Sequence, residues 1–460
     1  PTMRVLTEED GQSFTLFKGL VGPQHRIEPI PVSGRVQNGV IPHALYEIEQ
    51  DGRLNEVIFH RHEPVINERA YEGWQATPQR VPEDVTVEIF FVVDAPHHSR
   101  FSTHQGLLGY LCVMINSVNL RFSAMTAPRI KFLVTGADIS KNESYADLYP
   151  YNEEYIYDLK TLRNLMGYAY ENNKKFGDPD VVYLMTGREV YTVINGSFAE
   201  GQGVGYVAGI CTYQKVALGE DKPGLYSGTY TLAHELGHVL GAEHDGQEPA
   251  TIGHPGALSC PWDDGYIMSY VNKGPSHHHF SSCSLKQIQY VVSRAGEVCW
   301  AVKSRGYVNG HYAGTLVPSV AFCKGEVADR DATIDNITVS AATCKVRCVY
   351  YKPYQWNTGR GYSVTRRHYY HRDLDALDYM SCQGAKVCIQ GRCIVNPNAK
   401  NSECEQALRA PAHPKGQLIA AQTVALEVTR SHCSCCCHNR ATPIHTTRMH
   451  DYIGHSRRGT

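Results

Sequence analysis

The strongest constraint on this chain of 460 residues is a segment that starts at His234 and reads H-E-L-G-H-V-L-G-A-E-H-D-G. On a helix His234 and His238 lie on one face, where two imidazoles can bind one metal ion. Gly241 predicts the end of that helix, because a residue without Cβ adopts a left-handed turn at little cost, and the turn would return His244 as a third ligand. Three histidines leave the fourth position of a tetrahedral zinc ion open, which is typical of a catalytic site. Glu235 would accept a proton from water there.

Two further residues make this segment more specific than a bare H-E-x-x-H, which roughly a few per cent of shuffled histidine-rich chains would contain by chance. Asp245 directly follows the third histidine, and Met268 lies in the turn-like segment G-Y-I-M-S-Y at 265–270. Taken alone, Met268 would more often be an ordinary core residue. Downstream of this motif, we interpret it as the apolar floor beneath the metal.

These residues resemble the metzincin metalloproteases, and Asp245 indicates the adamalysin or reprolysin branch of snake-venom, ADAM and ADAMTS proteases. Residues 87–94 are similar to the first strand of that family, 180–187 to its central strand and 205–211 to its substrate-carrying edge strand. The closest overall resemblance is to secreted adamalysin-type proteases of tick saliva. The resemblance implies an α/β (α+β) catalytic domain with a mixed twisted sheet and a helix that bears the zinc ligands.

The cysteines and sequons indicate an oxidising, extracellular compartment. None of the sixteen cysteines precedes Cys112, eleven follow residue 299, and the last thirty residues hold the only close-spaced cluster that suggests metal, so disulfides are favoured. Sequons at Asn142, Asn195 and Asn336 agree with secretion. The chain starts at Pro1 without an apolar leader, so we expect that a signal peptide lies upstream of this sequence.

The charge balance gives no indication of nucleic acid or an anionic membrane as partner, since the formal net charge is −2. No run of eighteen apolar residues occurs, so we expect no transmembrane segment. We expect a secreted monomer whose partners are extracellular protein substrates. If the salivary resemblance holds, matrix or plasma proteins such as fibrinogen are candidates.

The chain divides into four predicted segments. Residues 1–80 show short alternating strands and resemble the C-terminal part of an adamalysin prodomain; the alternative is a small β-rich extension that packs on the enzyme. Residues 81–303 alternate strands and helices and form the predicted catalytic domain. Residues 304–404 resemble an ADAMTS-type cysteine-rich module, which would depend on disulfides. Residues 405–460 are predicted to be a disordered tail.

Apolar spacing predicts the elements of the catalytic domain. Strands are expected at 85–93, 130–134 and 181–185, and helices at 107–123, 155–175 and 229–240. A closing helix is expected at 285–294, with Ser284 capping its start. Cys112 lies on the apolar face of its helix and reads as a buried free thiol. The run at 277–279 of three histidines lies in a Gly/Pro/Ser loop, so we interpret it as solvent-exposed and not as a metal site.

The family resemblance implies further features that the residues alone do not establish. It implies disulfides between Cys211 and Cys299 and between Cys260 and Cys283. It also implies a structural Ca²⁺ ion on the carboxylates of Glu88 and Asp180. Val302 stands where the family has an asparagine ligand, so one oxygen of that calcium site is missing.

The combined features predict a zinc-dependent endopeptidase. Glu235 would accept a proton from the attacking water and pass it to the leaving amine. An extended substrate would pair with the edge strand around 203–209, and Val239 with residues 269–274 would line the pocket for the residue after the cut. Two alternatives stay open: a latent or dormant protease that binds partners through its cysteine-rich module, and a peptidase that trims short peptides.

Overall fold

The computed structural model describes residues 80–399 with gaps at 140, 195–196, 250–253, 328–330 and 358–362, together with Pro78 and four short strands nearer the N terminus. These strands are β1 (Arg4–Leu6), β2 (Leu16–Leu20), β3 (His25–Pro29) and β4 (His43–Glu47), and they form an antiparallel sheet in that order. The strands expected within 1–80 are therefore present, while the prodomain assignment stays a prediction. The predicted tail at 405–460 lies outside the described residues.

The next part of the chain alternates strands and helices. Its elements are β5 (Asp84–Val93), α1 (Ala95–His98), α2 (His104–Phe122), β6 (Arg129–Asp138), β7 (Leu148–Tyr149), β8 (Asn152–Tyr157), α3 (Asp158–Glu171), β9 (Val181–Thr186), β10 (Glu189–Ile194), β11 (Ser197–Glu200), β12 (Gly203–Gly205), β13 (Val216–Glu220), α4 (Thr229–Val239) and α5 (Ser282–Val292). Two short 3₁₀ turns, Trp262–Asp264 and Gly274–His278, lie between α4 and α5. The expected mixed α/β architecture is confirmed.

The main sheet has five strands in the order β12-β13-β9-β5-β6. All neighbours pair in parallel except β12, which runs antiparallel to β13 and forms one edge. Every residue of β9 is buried, because both faces of a mostly parallel sheet are covered by other elements. A second sheet has the order β11-β10-β8-β7, and its strands β10 and β11 contribute residues to the cleft described below.

Two clusters of buried side chains lie on opposite faces of the main sheet. Phe91 of β5 belongs to the cluster that includes α2, α4 and α5. Phe90, its neighbour in the same strand, belongs to the cluster that includes α3. This alternation is the period-two pattern of a strand. On the first of these faces, α4 packs against α2 and against the edge strands β12 and β13.

Three of the predicted helices have boundaries other than expected. α2 begins at His104, three residues before 107, and α3 ends at Glu171, four residues before 175. The helix expected at 155–175 begins at Asp158, because 152–157 form β8, which pairs in parallel with β10. The closing helix begins at Ser282, one turn earlier than expected. Its cap is Ser281, whose side chain accepts a hydrogen bond from the Ser284 N–H at 3.1 Å. Ser284 therefore lies in the first turn of the helix, and its N–H donates the capping hydrogen bond.

The C-terminal module consists of two small antiparallel sheets and two short helices. Its elements are α6 (Ala313–Leu316), α7 (Ser319–Glu326), β14 (Thr333–Val339), β15 (Lys345–Asn357), β16 (Ser363–Asp375), β17 (Met380–Gln383), β18 (Lys386–Ile389) and β19 (Arg392–Val395). Three disulfides hold it together: Cys323–Cys348, Cys344–Cys388 and Cys382–Cys393. Phe322 and Val346 belong to the same buried cluster as α2 and α4, and the chain through Pro397 forms one compact unit.

A membrane-crossing helix is not found in the part of the chain that the structure describes, where every helix is too short or too polar to cross a bilayer.

Candidate metal centre and active site

The helix that carries the motif, α4, is held at both ends. The Asp221 carboxylate accepts the N–H of its cap residue Gly228 at 2.9 Å. At the other end Gly241 has φ of +103°, its N–H donates to the His238 carbonyl, and a Cβ there would lie 2.1 Å from Val291 of α5. Only glycine combines this left-handed turn with so close a neighbour. The helix therefore ends where the sequence predicts.

The turn brings three imidazole nitrogens together. The Nε2 atoms of His234 and of His238 each lie 3.2 Å from Nε2 of His244. All three residues are buried. Nδ1 of His234 lies 2.7 Å from the Ile267 carbonyl, and Nδ1 of His238 lies 2.7 Å from the Ala242 carbonyl.

Carbonyl oxygens only accept hydrogen bonds, so these two Nδ1 atoms carry the protons and the Nε2 atoms face inward with lone pairs. Three converging imidazole nitrogens are a donor set that Zn²⁺ accepts in catalytic sites. The residues of this structure therefore fit a zinc ion.

Asp245 and Met268 support the triad from below. Met268 is fully buried, and its Sδ lies 2.9 Å from where a Cβ on Gly237 of α4 would be. The Asp245 N–H donates to the Met268 carbonyl at 3.0 Å, and its Oδ1 accepts the Ser281 hydroxyl at 2.5 Å. Burial raises the pKa of Asp245 to about 6, although the Ser281 hydrogen bond lowers it. Asp245 thus ties the third histidine to the methionine turn and to the start of α5.

The side chain of Glu235 extends from α4 toward the edge strand β12. Its side chain is 1% exposed. Its Oε1 lies 2.9 Å from where a Cβ on Gly203 would be, and its Oε2 lies 3.3 Å from the same position on Gly205. Side chains at these two glycines would displace the carboxylate, so their absence lets the strand approach the helix.

The edge strand is shorter than expected. β12 ends at Gly205, and residues 206–211 form turns in which the Ala208 and Ile210 N–H groups donate to the His238 and Val239 carbonyls. The predicted edge strand at 205–211 was therefore wrong beyond its first residue. These turns satisfy the carbonyl groups at the end of α4, which a continuing strand would leave unpaired.

A cleft of about 560 Å³ opens beside His234 and Glu235. Besides Glu235, four carboxylates line it: Asp158, Glu189, Glu200 and Glu220. The opposite wall has Tyr230, Tyr270, Asn272 and His277. No lysine or arginine is among its described lining residues.

Burial raises the pKa of Glu220 in this cleft to about 8 and lowers the pKa of His277 to about 4. Tyr270 and Asn272 belong to the predicted pocket segment 269–274, whereas Val239 is fully buried in the core and does not line the cleft.

The histidine run at 277–279 is not solvated as expected. His278 is buried, with Nε2 3.4 Å from Asp375 Oδ1 and Nδ1 3.5 Å from the Arg121 guanidinium. Asp375 also contacts Lys345 Nζ at 2.6 Å. Burial alone would raise the pKa of Asp375, but hydrogen bonds from His278 and Lys345 hold it well below its usual range. The interpretation failed because the C-terminal module covers this loop.

Five disulfides occur in the described chain, and two of them lie in the catalytic part. Cys211 pairs with Cys299, and Cys260 pairs with Cys283. Cys112 is a buried free cysteine, and burial raises the pKa of its thiol to about 11. A thiol that stays protonated at neutral pH is a poor nucleophile, so Cys112 is a core residue.

The predicted calcium position has a different arrangement. Both carboxylate oxygens of Glu88 accept the Lys303 N–H at 3.1 Å, and Oε1 also accepts the Ser304 N–H. Asp180 Oδ2 accepts the Glu88 N–H at 2.8 Å. Burial raises the pKa of Asp180 to about 7, and Val302 offers no side-chain oxygen. Because the carboxylate oxygens already accept amide hydrogens, these residues do not fit Ca²⁺, which needs six to eight oxygen ligands.

Two of the three predicted glycosylation sites can be located. Asn142 and Asn336 are exposed, and Asn195 lies outside the described residues. Glycosylation at all three stays a prediction.

From the sequence, Tyr270 was placed only in the pocket segment 269–274, and the four carboxylates Asp158, Glu189, Glu200 and Glu220 were given no role. The carboxylates come from four separate elements, so no local pattern marks them. Tyr270 follows Met268 by two residues, so its position in the turn near the metal ligands could be predicted from the sequence.

Comparisons with known proteins agree with this geometry. Residues 84–281 match a family model described as Reprolysin_5, metallopeptidase family M12. The chain is similar to an antarease-like venom metalloproteinase of Tityus trivittatus, at 27% identity over 64% of this chain and 76% of that protein. It is also similar to a venom metalloproteinase of Olivierus martensii, at 29% identity over 62% and 71%. A protein of Bombyx mori, named as like a disintegrin and metalloproteinase with thrombospondin motifs, is 26% identical over 71% and 47%.

Proposed function

We propose, from the premise that the chain belongs to the reprolysin-type metzincins of metallopeptidase family M12 and is a zinc metalloendopeptidase, that it is secreted and cleaves extracellular proteins. The observation that carries this proposal is the convergence of three histidine Nε2 atoms beside the buried Glu235 and an open cleft. The disulfides of the described chain support an oxidising compartment. The narrower resemblance to tick salivary proteases stays a prediction.

The chemistry follows from the positions of His234, His238, His244 and Glu235. A zinc ion held by the three histidines would supply a Lewis acid that lowers the pKa of water and polarises the scissile carbonyl. Glu235 accepts the proton of the attacking water and returns it to the amine that leaves. Its burial between α4 and β12 holds the carboxylate in one orientation beside the cleft.

Substrate binding is assigned to the edge of β12. Among the described strands β12 pairs only with β13, so its other edge can accept an added strand. An extended peptide that pairs there would run past Glu235, which contacts the same strand at Gly203 and Gly205. Pairing along the backbone needs no chain terminus, which supports cleavage within a chain over trimming of short peptides.

The charge of the cleft supports a preference for basic substrate segments. Glu189 and Glu200 are exposed on its rim, Asp158 lies deeper, and no described lining residue carries a permanent positive charge. A lysine or arginine of the substrate would therefore meet complementary charge. We assign this preference to the residues that flank the cut.

The test is cleavage of a denatured protein such as casein by the full chain and two variants. Glu235→Gln removes the proton acceptor and keeps the shape, and we expect activity to fall by about 10²–10⁴-fold. Glu171→Gln, at the exposed end of α3, is the matched control and should keep full activity. A chelator should abolish wild-type activity. An inactive wild-type chain with one zinc bound would contradict the proposal and favour the binding-protein alternative.

A further inference from the structure

We propose that Tyr270 is a further catalytic residue: its phenol donates a hydrogen bond to the substrate carbonyl oxygen as that oxygen becomes negatively charged. This inference rests on the proposed function, because it concerns the same hydrolysis. It assigns to the loop after the methionine turn a direct role in the reaction.

The backbone around Tyr270 is held by its neighbours. Ser269 is fully buried, its hydroxyl donates to the Trp262 carbonyl at 2.7 Å, and it accepts the Val271 N–H at 3.1 Å. The Tyr230 hydroxyl lies 2.8 Å from the Ser269 carbonyl. These hydrogen bonds hold the backbone on both sides of Tyr270 and so determine the direction of its side chain.

The ring of Tyr270 lies against the metal ligands. Its centroid is 5.0 Å from the Trp262 ring at an interplanar angle of 81°, and 5.4 Å from the His244 ring. It is 5.9 Å from His234, at an angle of 25°. The aromatic neighbours keep the ring in place although 45% of the residue is exposed.

The hydroxyl of Tyr270 reaches the place where the ligand atoms meet. It lies 3.4 Å from Nε2 of His244, one of the three converging nitrogens. A contact of this length is weak, and an Nε2 lone pair that binds a metal ion no longer accepts a hydrogen bond. Because a hydroxyl rotates to suit its acceptor, the phenol can donate to a substrate oxygen at this position.

Glu235 and Tyr270 belong to different walls of the cleft. The Glu235 carboxylate lies against Gly203 and Gly205 of β12, whereas Tyr270 comes from the loop after α4 and packs on Trp262. A carbonyl that approaches the three nitrogens therefore has the proton acceptor on one side and the hydroxyl on the other. Tyr230 cannot substitute, because its hydroxyl is held by the Ile267 and Ser269 carbonyls.

Each bond that forms in the reaction is matched by one that breaks. Water adds to the carbonyl carbon, so a C–O bond forms and the π electron pair moves to the carbonyl oxygen, while Glu235 receives the water proton. The pair then returns, the C–N bond breaks, and the amine takes the proton from Glu235. Tyr270 keeps its proton throughout and stabilises the charged oxygen by hydrogen bonding, which is the role of an oxyanion-hole donor.

The experiment compares Tyr270→Phe with wild type in the full zinc-loaded chain. Loss of one oxyanion donor typically lowers kcat by about 10²–10³-fold, and we expect that loss with KM and zinc content unchanged. Tyr213→Phe, which removes the hydroxyl of a tyrosine that is 39% exposed and does not line the cleft, is the matched control. Wild-type kcat in Tyr270→Phe, under conditions where Glu235→Gln is inactive, would overturn the inference and leave the proposed function intact.

A binding measurement gives a second readout that does not depend on turnover. Calorimetry would compare a phosphinic peptide, whose tetrahedral anion imitates the charged intermediate, with a product peptide of the same sequence. We expect Tyr270→Phe to weaken the phosphinic peptide by about the same factor as kcat and to leave the product peptide unchanged. Equal weakening of both peptides would indicate a positioning effect, and a phenolate-to-copper absorption band in the Cu²⁺-loaded wild type would indicate a metal ligand. Either result would overturn the donor role.

Discussion

The Asp375 carboxylate at the end of β16 lies 2.8 Å from the side-chain amide of Asn272, which lines the substrate cleft. The same carboxylate contacts Lys345 and His278. One residue of the C-terminal module thus links that module to the wall of the active-site cleft. The module is therefore in a position to affect how substrate binds.

We expect Asp375→Asn to raise KM more than it lowers kcat, because Asn272 would lose its charged acceptor. The variant should also lose about 1.5–3 kcal/mol of unfolding free energy at pH 7, the usual contribution of hydrogen bonds to a charged group. Since the folded pKa of Asp375 is lowered, this stability is present above the ordinary pKa of about 4 and is lost as pH falls through the folded value. Denaturation at pH 7 and at successively lower pH should show the two proteins converging; a constant difference would contradict this account.

The buried pair Arg121–Asp378 should matter far more than an exposed pair. Nη1 of Arg121 lies 2.8 Å from Asp378 Oδ2, with both side chains buried. Removal of one partner leaves a buried charge, so Arg121→Met should cost about 3–5 kcal/mol in chemical denaturation. Arg129→Gln, in an exposed pair with Asp84, is the control and should leave the denaturation midpoint nearly unchanged, because solvent screens an exposed ion pair. Similar losses in both variants would show that burial does not determine the effect.

Substrate charge should affect cleavage through Glu189 and Glu200. For a peptide with lysines beside the cut, Glu189→Gln and Glu200→Gln should each lower kcat/KM by about 1.4- to fivefold, from the roughly 0.2–1 kcal/mol of an exposed ion pair. A peptide with glutamines in place of the lysines should be unaffected, and the difference should shrink at high salt. Glu171→Gln, at the opposite end of α3 from Asp158, controls for total charge. An equal loss with both peptides would refute the preference.

Calcium should not stabilise this protein. The Glu88 carboxylate accepts backbone amides, and Lys303 Nζ, 2.7 Å from Asp178 Oδ2, brings a positive charge to the same region. We expect the Tm of the zinc-loaded chain to be the same with and without millimolar Ca²⁺. A rise in Tm that Asp180→Asn abolishes would restore the family's calcium site.

Much of the metal centre follows from the sequence, because its ligands lie within one short segment with fixed helical geometry. His234 and His238 needed only the repeat of a helix, and His244 needed only the turn at Gly241. The central strands were also predictable, since buried strands such as β9 are continuous apolar runs. The family assignment depended on these same local features.

The remaining features depend on contacts between distant segments. The start of α3 was missed because β8 pairs with β10, which comes later in the chain. His278 was placed in solvent because nothing near it in the sequence indicates Asp375, almost one hundred residues away, as its neighbour. The hydrogen bonds of Glu88 with residues 303 and 304 likewise become visible only in three dimensions.

The buried cluster that runs from α2 and α4 into Phe322 and Val346 also determines how the protein can be shortened. A fragment that stops after α5 would expose this apolar surface to water, where it would favour self-association. The compact unit that contains this cluster runs through Pro397, so expression trials should place their C terminus after β19.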